Sequence, residues 1–311
     1  MRPYACGMKT SPACSLATIA ATAMALAVAP AAASAAVSVD PAFTKVYVKG
    51  DDGPNEIVLE CADGFMTLNG GPAADGKVSC PDLEQLRVFG FGGDDVIVLS
   101  GFSERQEEEP GIFDLGDDEE YGEERSISIA AGDGNDSVTA DANYAIVGGG
   151  DGDDVVRGVS AELLLAGGPG NDHVIGGPVF NFMLGGRGDD RLNAGPGLSF
   201  SSGGAGADTF VGGSGFDFAF GGRGADKMAG NGRTDLLLGG SGPDELFGGP
   251  ARDLLGGGPG RDRLRGGPGK DREFQGRPGR RSLIKFYEPL LHVGESEDFL
   301  IAERQLLRLA R

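Results

Sequence analysis

The sequence predicts an all-β chain wound from a short repeating unit, and three observations predict it. Glycine supplies 57 of the 311 residues, about 18% against a usual share of about 7%, and that load weakens ordinary helix and strand interiors, so it has to serve regularly spaced turns. From residue 131 to residue 274 the chain divides into sixteen consecutive nine-residue units with no insertion or deletion. The eighth position of those units is apolar from Val138 through Val147, Val156, Leu165, Val174, Met183, Leu192, Phe210, Ala219, Met228, Leu237, Leu246 and Leu255 to Leu264, with Ser201 as the polar exception. Hydrophobic residues make up 40% of the chain, which argues against disorder, and 17 prolines without a strict three-residue glycine period argue against collagen.

The first element is a leader. Arg2 and Lys9 precede an apolar run from Leu16 to Val28, Pro30 breaks it, and Ala33-Ser34-Ala35 offers small residues at a cleavage site, so residues 1–36 read as a secretory signal peptide. The alternative, an uncleaved membrane anchor, is opposed by the alanine-rich run and by Pro30. Removing the leader takes Cys6 and Cys14 with it and leaves Cys61 and Cys80. An even count in an exported chain predicts one disulfide closing a short loop, with two free thiols as the alternative.

Residues 37–130 form a second, less regular region. Short alternating runs such as Lys45-Val46-Tyr47-Val48, Glu56-Ile57-Val58-Leu59 and Asp95-Val96-Ile97-Val98 predict strands. GDDGPNEIVL from Gly50 and GFGGDDVIVL from Gly90 look like decayed relatives of the nine-residue unit, which predicts a β-rich lead-in that caps the repeat array; a separate ligand-binding module is the alternative. Eleven acidic residues between Glu104 and Glu124 predict a solvated loop.

The third element, residues 131–274, carries the chemistry. Its clearest units read GGDGDDVVR from Gly149, GGPGNDHVI from Gly167, GGRGDDRLN from Gly185, GGAGADTFV from Gly203 and GGPGRDRLR from Gly257. Glycine at positions one, two and four permits a tight turn that aims carbonyls inward, and aspartate at position six adds a hard anionic oxygen. Odd units carry Asp136, Asp154, Asp172, Asp190, Asp208, Asp226, Asp244 and Asp262, one every 18 residues. Even units hold Ala145, Leu163, Asn181 and Ser199 before acidity returns with Asp217, Asp235, Asp253 and Asp271, and Arg233 and Ala251 displace the fourth-position glycine in two of these.

This register resembles the nonapeptide repeat of RTX, or haemolysin-type calcium-binding, proteins, written GGxGxDxUx with U a large apolar residue. The resemblance implies a right-handed parallel β-roll in which two nonapeptides make one turn and Ca²⁺ ions lie between the Gly/Asp loops of successive turns. Applied to this chain, it implies about seven calcium sites between the eight odd loops and up to three weaker ones on the other edge. The roll without metal is expected to be largely unfolded, because each turn orders 18 residues at about 1–2 kcal/mol apiece while burying only two large side chains.

The outer face of the even units is apolar, with Ile146, Leu164, Phe182, Phe200, Phe218, Leu236 and Leu254 at position seven. Such a stripe asks for a cover. Within residues 275–311, the segment from Phe299 to Arg311 is amphipathic at helical spacing after a possible N-cap at Ser296, so a short C-terminal helix is expected to dock on the stripe or seal the end of the roll. Self-association or contact with a cell envelope through Phe182, Phe200 and Phe218 is the alternative.

Charge and motifs bound the function. With 47 acidic against 27 basic residues and a formal charge of −20, the chain favours cations over nucleic acid phosphates. Two histidines and no HExxH or GxSxG motif leave zinc chemistry and serine hydrolysis without support. The expectation is a secreted, non-catalytic calcium-binding protein of structural, adhesive or surface-associated role. An extracellular calcium buffer or sensor is the alternative, and a polysaccharide-active enzyme accessory a more distant one. RTX toxins leave the cell by an uncleaved C-terminal signal, so pore formation and that export route do not carry over.

Overall fold

The computed structural model describes residues 36–39, 44–73, 78–102, 126–160 and 162–276. The leader up to residue 35, the acidic stretch from Glu104 to Glu124 and the amphipathic segment from Phe299 to Arg311 lie outside the described residues.

Apolar residues at every second position turn one face of each strand inward. In β2 (Lys45–Lys49) these are Val46 and Val48, and in β10 (Ala145–Asp151) they are Ala145 and Val147, all buried. Among the described residues the strands stack, in parallel except at the N-terminal end, into two sheets of twelve strands each, and each sheet takes one half of every turn. Even-unit strands run through the first sheet and odd-unit strands through the second. The register puts each residue opposite its equivalent 18 residues away, as in Val156↔Val174 and Met183↔Ser201. Fourteen of the fifteen inward eighth-position side chains from Val138 to Leu264 are buried, and Leu264, on the last odd strand, is partly buried. Ser201 and Ala219 belong to the half-turns on either side of Phe210, the bulkiest inward residue, so small residues alternate with a large one and core volume is conserved.

Two features differ from the sequence reading. The even-unit strands are long except at the C-terminal end: β14 (Phe180–Arg187) and β16 (Leu198–Ala205) have 8 residues, while the odd strands β15 (Arg191–Asn193) and β17 (Thr209–Val211) have the expected 3, as do the last two even strands, Leu254–Gly256 and Arg272–Phe274. The extra length comes from the paired glycines that open the odd units from Gly149 onward, which remain in the ladder at Gly168↔Gly186 and Gly186↔Gly204.

Nor do the sheets stop at residue 131. Strand β6 (Gln85–Gly92) pairs in parallel with β2 and β8 (Ser126–Asp133), and β7 (Val96–Phe102) pairs with β3 (Glu56–Ala62) and β9 (Ser137–Ala142). Two further turns therefore precede the nonapeptides, in place of an irregular β unit. Antiparallel strands end the ladders on this side: β1 (Ala36–Val39) on β2, and β4 (Phe65–Leu68) on β3 with the short strand β5 (Gly71–Pro72) beyond it. This closure blunts two edges that would otherwise be open for pairing. A disulfide joins Cys61 to Cys80 across a Cα separation of 6.1 Å and ties the excursion after β3 back to itself.

The outer apolar stripe is present but unequally covered. Ile146 is 54% exposed, while Phe218, Leu236 and Leu254 are 4%, 2% and 0% exposed, in a cluster with Leu198, Phe200, Phe216, Leu238 and Phe274. Phe200 and Phe218 stack with centroids 4.7 Å apart. Phe218 is thus withdrawn from any external contact, and the accessible part of the stripe is its N-terminal half. Glu273, at an eighth position on the last strand, is exposed and accepts the Gly266 N–H at 2.6 Å, so the inward column ends there.

Candidate metal centre

Each odd-unit aspartate stands between the end of a long strand of the first sheet and the start of a short strand of the second. Asp136, Asp154, Asp172, Asp190, Asp208, Asp226 and Asp244 are all at most 3% exposed. One carboxylate oxygen of each is consumed by the stack. Asp136 N–H donates to Asp154 Oδ1 at 2.8 Å, and the pattern repeats every 18 residues to Asp244 N–H and Asp262 Oδ1 at 3.1 Å. The other oxygen has no protein partner: Oδ2 of Asp136, Asp154, Asp172, Asp190, Asp208, Asp226, Asp244 and Asp262 is sealed from solvent and accepts nothing. Eight aligned orphan oxygens are a costly arrangement unless something positive lies among them.

Glycine makes the space for it. A Cβ on Gly185 would overlap Asp190 Oδ2 and the Gly203 carbonyl oxygen, and one on Gly221 would overlap Asp226 Oδ2 and the Gly239 carbonyl oxygen. The first glycine of these two odd loops therefore leaves a cradle lined by its own unit's carboxylate and a carbonyl of the next turn, and Gly149, Gly167, Gly203, Gly239 and Gly257 stand against their own units' carboxylates in the same way. Gly186 and Gly188 hold φ of 134° and 118°, and a Cβ on either would overlap the Gly168 or Gly170 carbonyl one turn earlier. A lining of hard oxygens, part carboxylate and part carbonyl, fits Ca²⁺, which takes six to eight such ligands. Among the described residues no three His, Cys, Asp or Glu side chains converge on a point.

Electrostatics follow from the burial. Desolvation pushes Asp154, Asp190 and Asp226 up to about 7 and Asp136 and Asp208 up to about 6, and raises Asp172 and Asp244. The backbone N–H donated to each opposes the shift, and for Asp154 the neighbouring carboxylates of Asp136 and Asp172 reinforce it. The ordinary value is 3.8, so between roughly pH 4 and 7 the metal-free folded chain holds more protons than the unfolded one. Its stability is full below the unfolded value and falls as pH rises through the folded ones. Calcium-stripped protein should accordingly gain β-sheet circular dichroism as pH is lowered from about 8 to about 5, whereas calcium affinity should weaken over the same range because proton and metal compete for Oδ2.

The even edge is built differently along its length. Ala145 and Leu163 are simply core. Asn181 is buried and satisfied: its Oδ1 accepts Gly177 N–H at 2.7 Å, and its Nδ2 donates to the carbonyls of Gly177 at 2.9 Å and Ala194 at 3.1 Å. Asp217 spends both oxygens within the protein, accepting the Ser199 hydroxyl on Oδ1 and Gly213 N–H on Oδ2. Orphan buried oxygens return at Asp235 and Asp253, which desolvation pushes up to about 8 and about 6. Asp271 accepts Asp253 N–H on Oδ1 at 3.0 Å. Where glycine is missing the backbone is strained, with Ala251 at φ 91° and Asn231 at φ 74°.

Two features escaped the sequence reading. Position five of the odd loops forms a second, exposed ladder in which acid and amide alternate: Asn135 N–H donates to Asp94 Oδ1 at 2.8 Å, Asp153 N–H to Asn135 Oδ1 at 2.9 Å and Asn171 N–H to Asp153 Oδ1 at 2.7 Å. The run Asp94, Asn135, Asp153, Asn171, Asp189 at that position was the available signal. Asp95, outside the nonapeptides, heads the buried column, its N–H donating to Asp136 Oδ1 at 2.7 Å.

Compared with known families, residues 166–198, 202–237, 229–264 and 238–272 match the RTX calcium-binding nonapeptide repeat, in four copies. No curated protein matches the chain.

Proposed function

We propose, from a chain that carries four copies of the RTX calcium-binding nonapeptide repeat, an exported, non-catalytic protein whose coil becomes rigid when extracellular calcium fills the cradles between successive loops. The observation that carries the reading is the column of eight sealed, unpartnered Oδ2 atoms from Asp136 to Asp262. Calcium between consecutive odd loops would satisfy them, giving seven interior sites, and Asp235 and Asp253 would supply weaker ones on the other edge beside Asp217 and Asp271. Affinities of about 10⁻⁴ to 10⁻³ M, usual for extracellular modules, would leave the cradles empty in the cytosol and filled outside. The unfolded metal-free chain then suits export, and the leader over residues 1–36 and the Cys61–Cys80 disulfide support an oxidising destination.

A structural or surface-associated role is favoured over a soluble buffer by the accessible N-terminal half of the apolar stripe, where Ile146 is 54% exposed and Leu164 and Phe182 are half-buried, and by Val179 and Leu184, outside the stripe, which are 51% and 37% exposed. Sedimentation of the mature chain with and without chelator separates the two. Calcium-dependent self-association, or retention on cell envelopes, is expected. A monomer at every calcium concentration that remains free of envelopes would favour the buffer or sensor reading.

A further inference from the structure

We infer that the calcium column extends beyond the nonapeptide array, to an eighth interloop cradle closed by Asp95 between residues 90–95 and residues 131–136. The inference rests on the calcium reading of the roll but concerns residues that no nine-residue count reaches, since 41 residues rather than 18 separate Asp95 from Asp136.

Asp95 repeats each feature that marks the array. It is 1% exposed, and its backbone N–H donates to Asp136 Oδ1 at 2.7 Å, as Asp136 donates to Asp154. Its own Oδ1 accepts the Asn55 N–H at 2.8 Å and Asn55 Nδ2 at 3.1 Å. Its Oδ2 is buried without a partner. A Cβ on Gly90 would overlap that Oδ2 and the Ala131 carbonyl oxygen, which is the same pair of lining atoms that Asp190 and Gly203 present to Gly185. The loop path is kept as well: Phe91 takes φ 81°, a left-handed value at the position where the array uses glycine, and a Cβ on Gly134 would overlap the Gly93 carbonyl. A non-glycine residue held there is strained, and the stack on either side holds it.

One turn further out the chemistry changes. Asn55 stands where the next aspartate would be, 3% exposed, and its neutral amide donates to the Asp51 carbonyl at 3.2 Å and the Gly53 carbonyl at 2.5 Å. The column of carboxylates therefore ends at Asp95, and the ion held there would be the one that fastens the two leading turns to the roll.

The test is calcium content by mass spectrometric metal analysis of the full mature chain, equilibrated in about 2 mM calcium, for wild type, Asp95→Asn and Gly90→Ala. Amide hydrogen exchange over residues 85–102 is read on the same samples. Asp95→Asn keeps the shape and the Oδ1 acceptor, whereas Gly90→Ala keeps the carboxylate and fills the cradle. Each should bind one calcium fewer than wild type and lose most of the calcium-dependent protection of residues 85–102, with protection of residues 166–272 retained. Unchanged content and protection in both variants would overturn the inference while leaving the calcium reading intact. A wild-type chain that binds no calcium would overturn that reading itself. If both variants fail to fold, wild-type exchange decides: protection of residues 85–102 that rises with calcium supports the cradle, and protection indifferent to calcium refutes it.

Discussion

Stripped of calcium near neutral pH, the mature chain should lose its β-sheet circular dichroism, and about 1 mM calcium should restore it. The size of the effect comes from the number of cradles. With a dissociation constant of about 10⁻⁴ M and about 2 mM free calcium, each site stabilises the folded state by about 1.8 kcal/mol, and seven by about 13 kcal/mol. That is as large as the whole net stability of an ordinary domain, about 5–15 kcal/mol. Without metal the column reverses sign, because Oδ2 atoms recurring about every 4.8 Å along the stack are sealed from water and neighbouring carboxylates repel, as those of Asp136 and Asp172 do that of Asp154. The disulfide constrains only the excursion between Cys61 and Cys80 and cannot substitute for calcium along the roll.

Replacing Gly188 by valine should be among the most damaging single substitutions in the roll, though less so than removing all the metal. The residue sits at φ 118°, and a Cβ there would overlap the Gly170 carbonyl oxygen, which belongs to backbone and cannot swing away. Strain and clash together should cost about 4 kcal/mol or more, read as a lower melting temperature in saturating calcium and a higher calcium midpoint for folding. Arg187, the preceding residue, is exposed on the same loop. Its replacement by valine should change stability by no more than about 0.5 kcal/mol. A pair of adjacent substitutions differing this widely is expected only if the loops are stacked in the register of one turn per 18 residues.

The roll was legible because a nine-residue register leaves little choice. Inward residues such as Val174 and Met183, and the aspartates from Asp136 to Asp262, fall where counting puts them, since each turn repeats the backbone of the last. The segment from Gly90 was legible as a decayed relative of the unit, but the place of Asp95 at the head of the column was hidden by the length of chain between it and Asp136 and by Phe91, which occupies a glycine position at φ 81°. The long strands of the first sheet were hidden because glycine pairs read as turn, yet Gly168 and Gly186 remain in the ladder. At Asp217 the aspartate matches the repeat, but the Ser199 hydroxyl and Gly213 N–H already satisfy it, a fact of three dimensions that composition does not carry. The stripe was visible as apolar positions, whereas the burial of Leu236 and Leu254 at its C-terminal end was not.

The most direct measurement is the number of calcium ions bound per mature chain, by equilibrium dialysis at rising free calcium, with circular dichroism recorded on the same samples. Seven or more equivalents, taken up over the concentration range in which β structure appears, are predicted. One or two equivalents, or full β structure before any calcium is bound, would contradict the account.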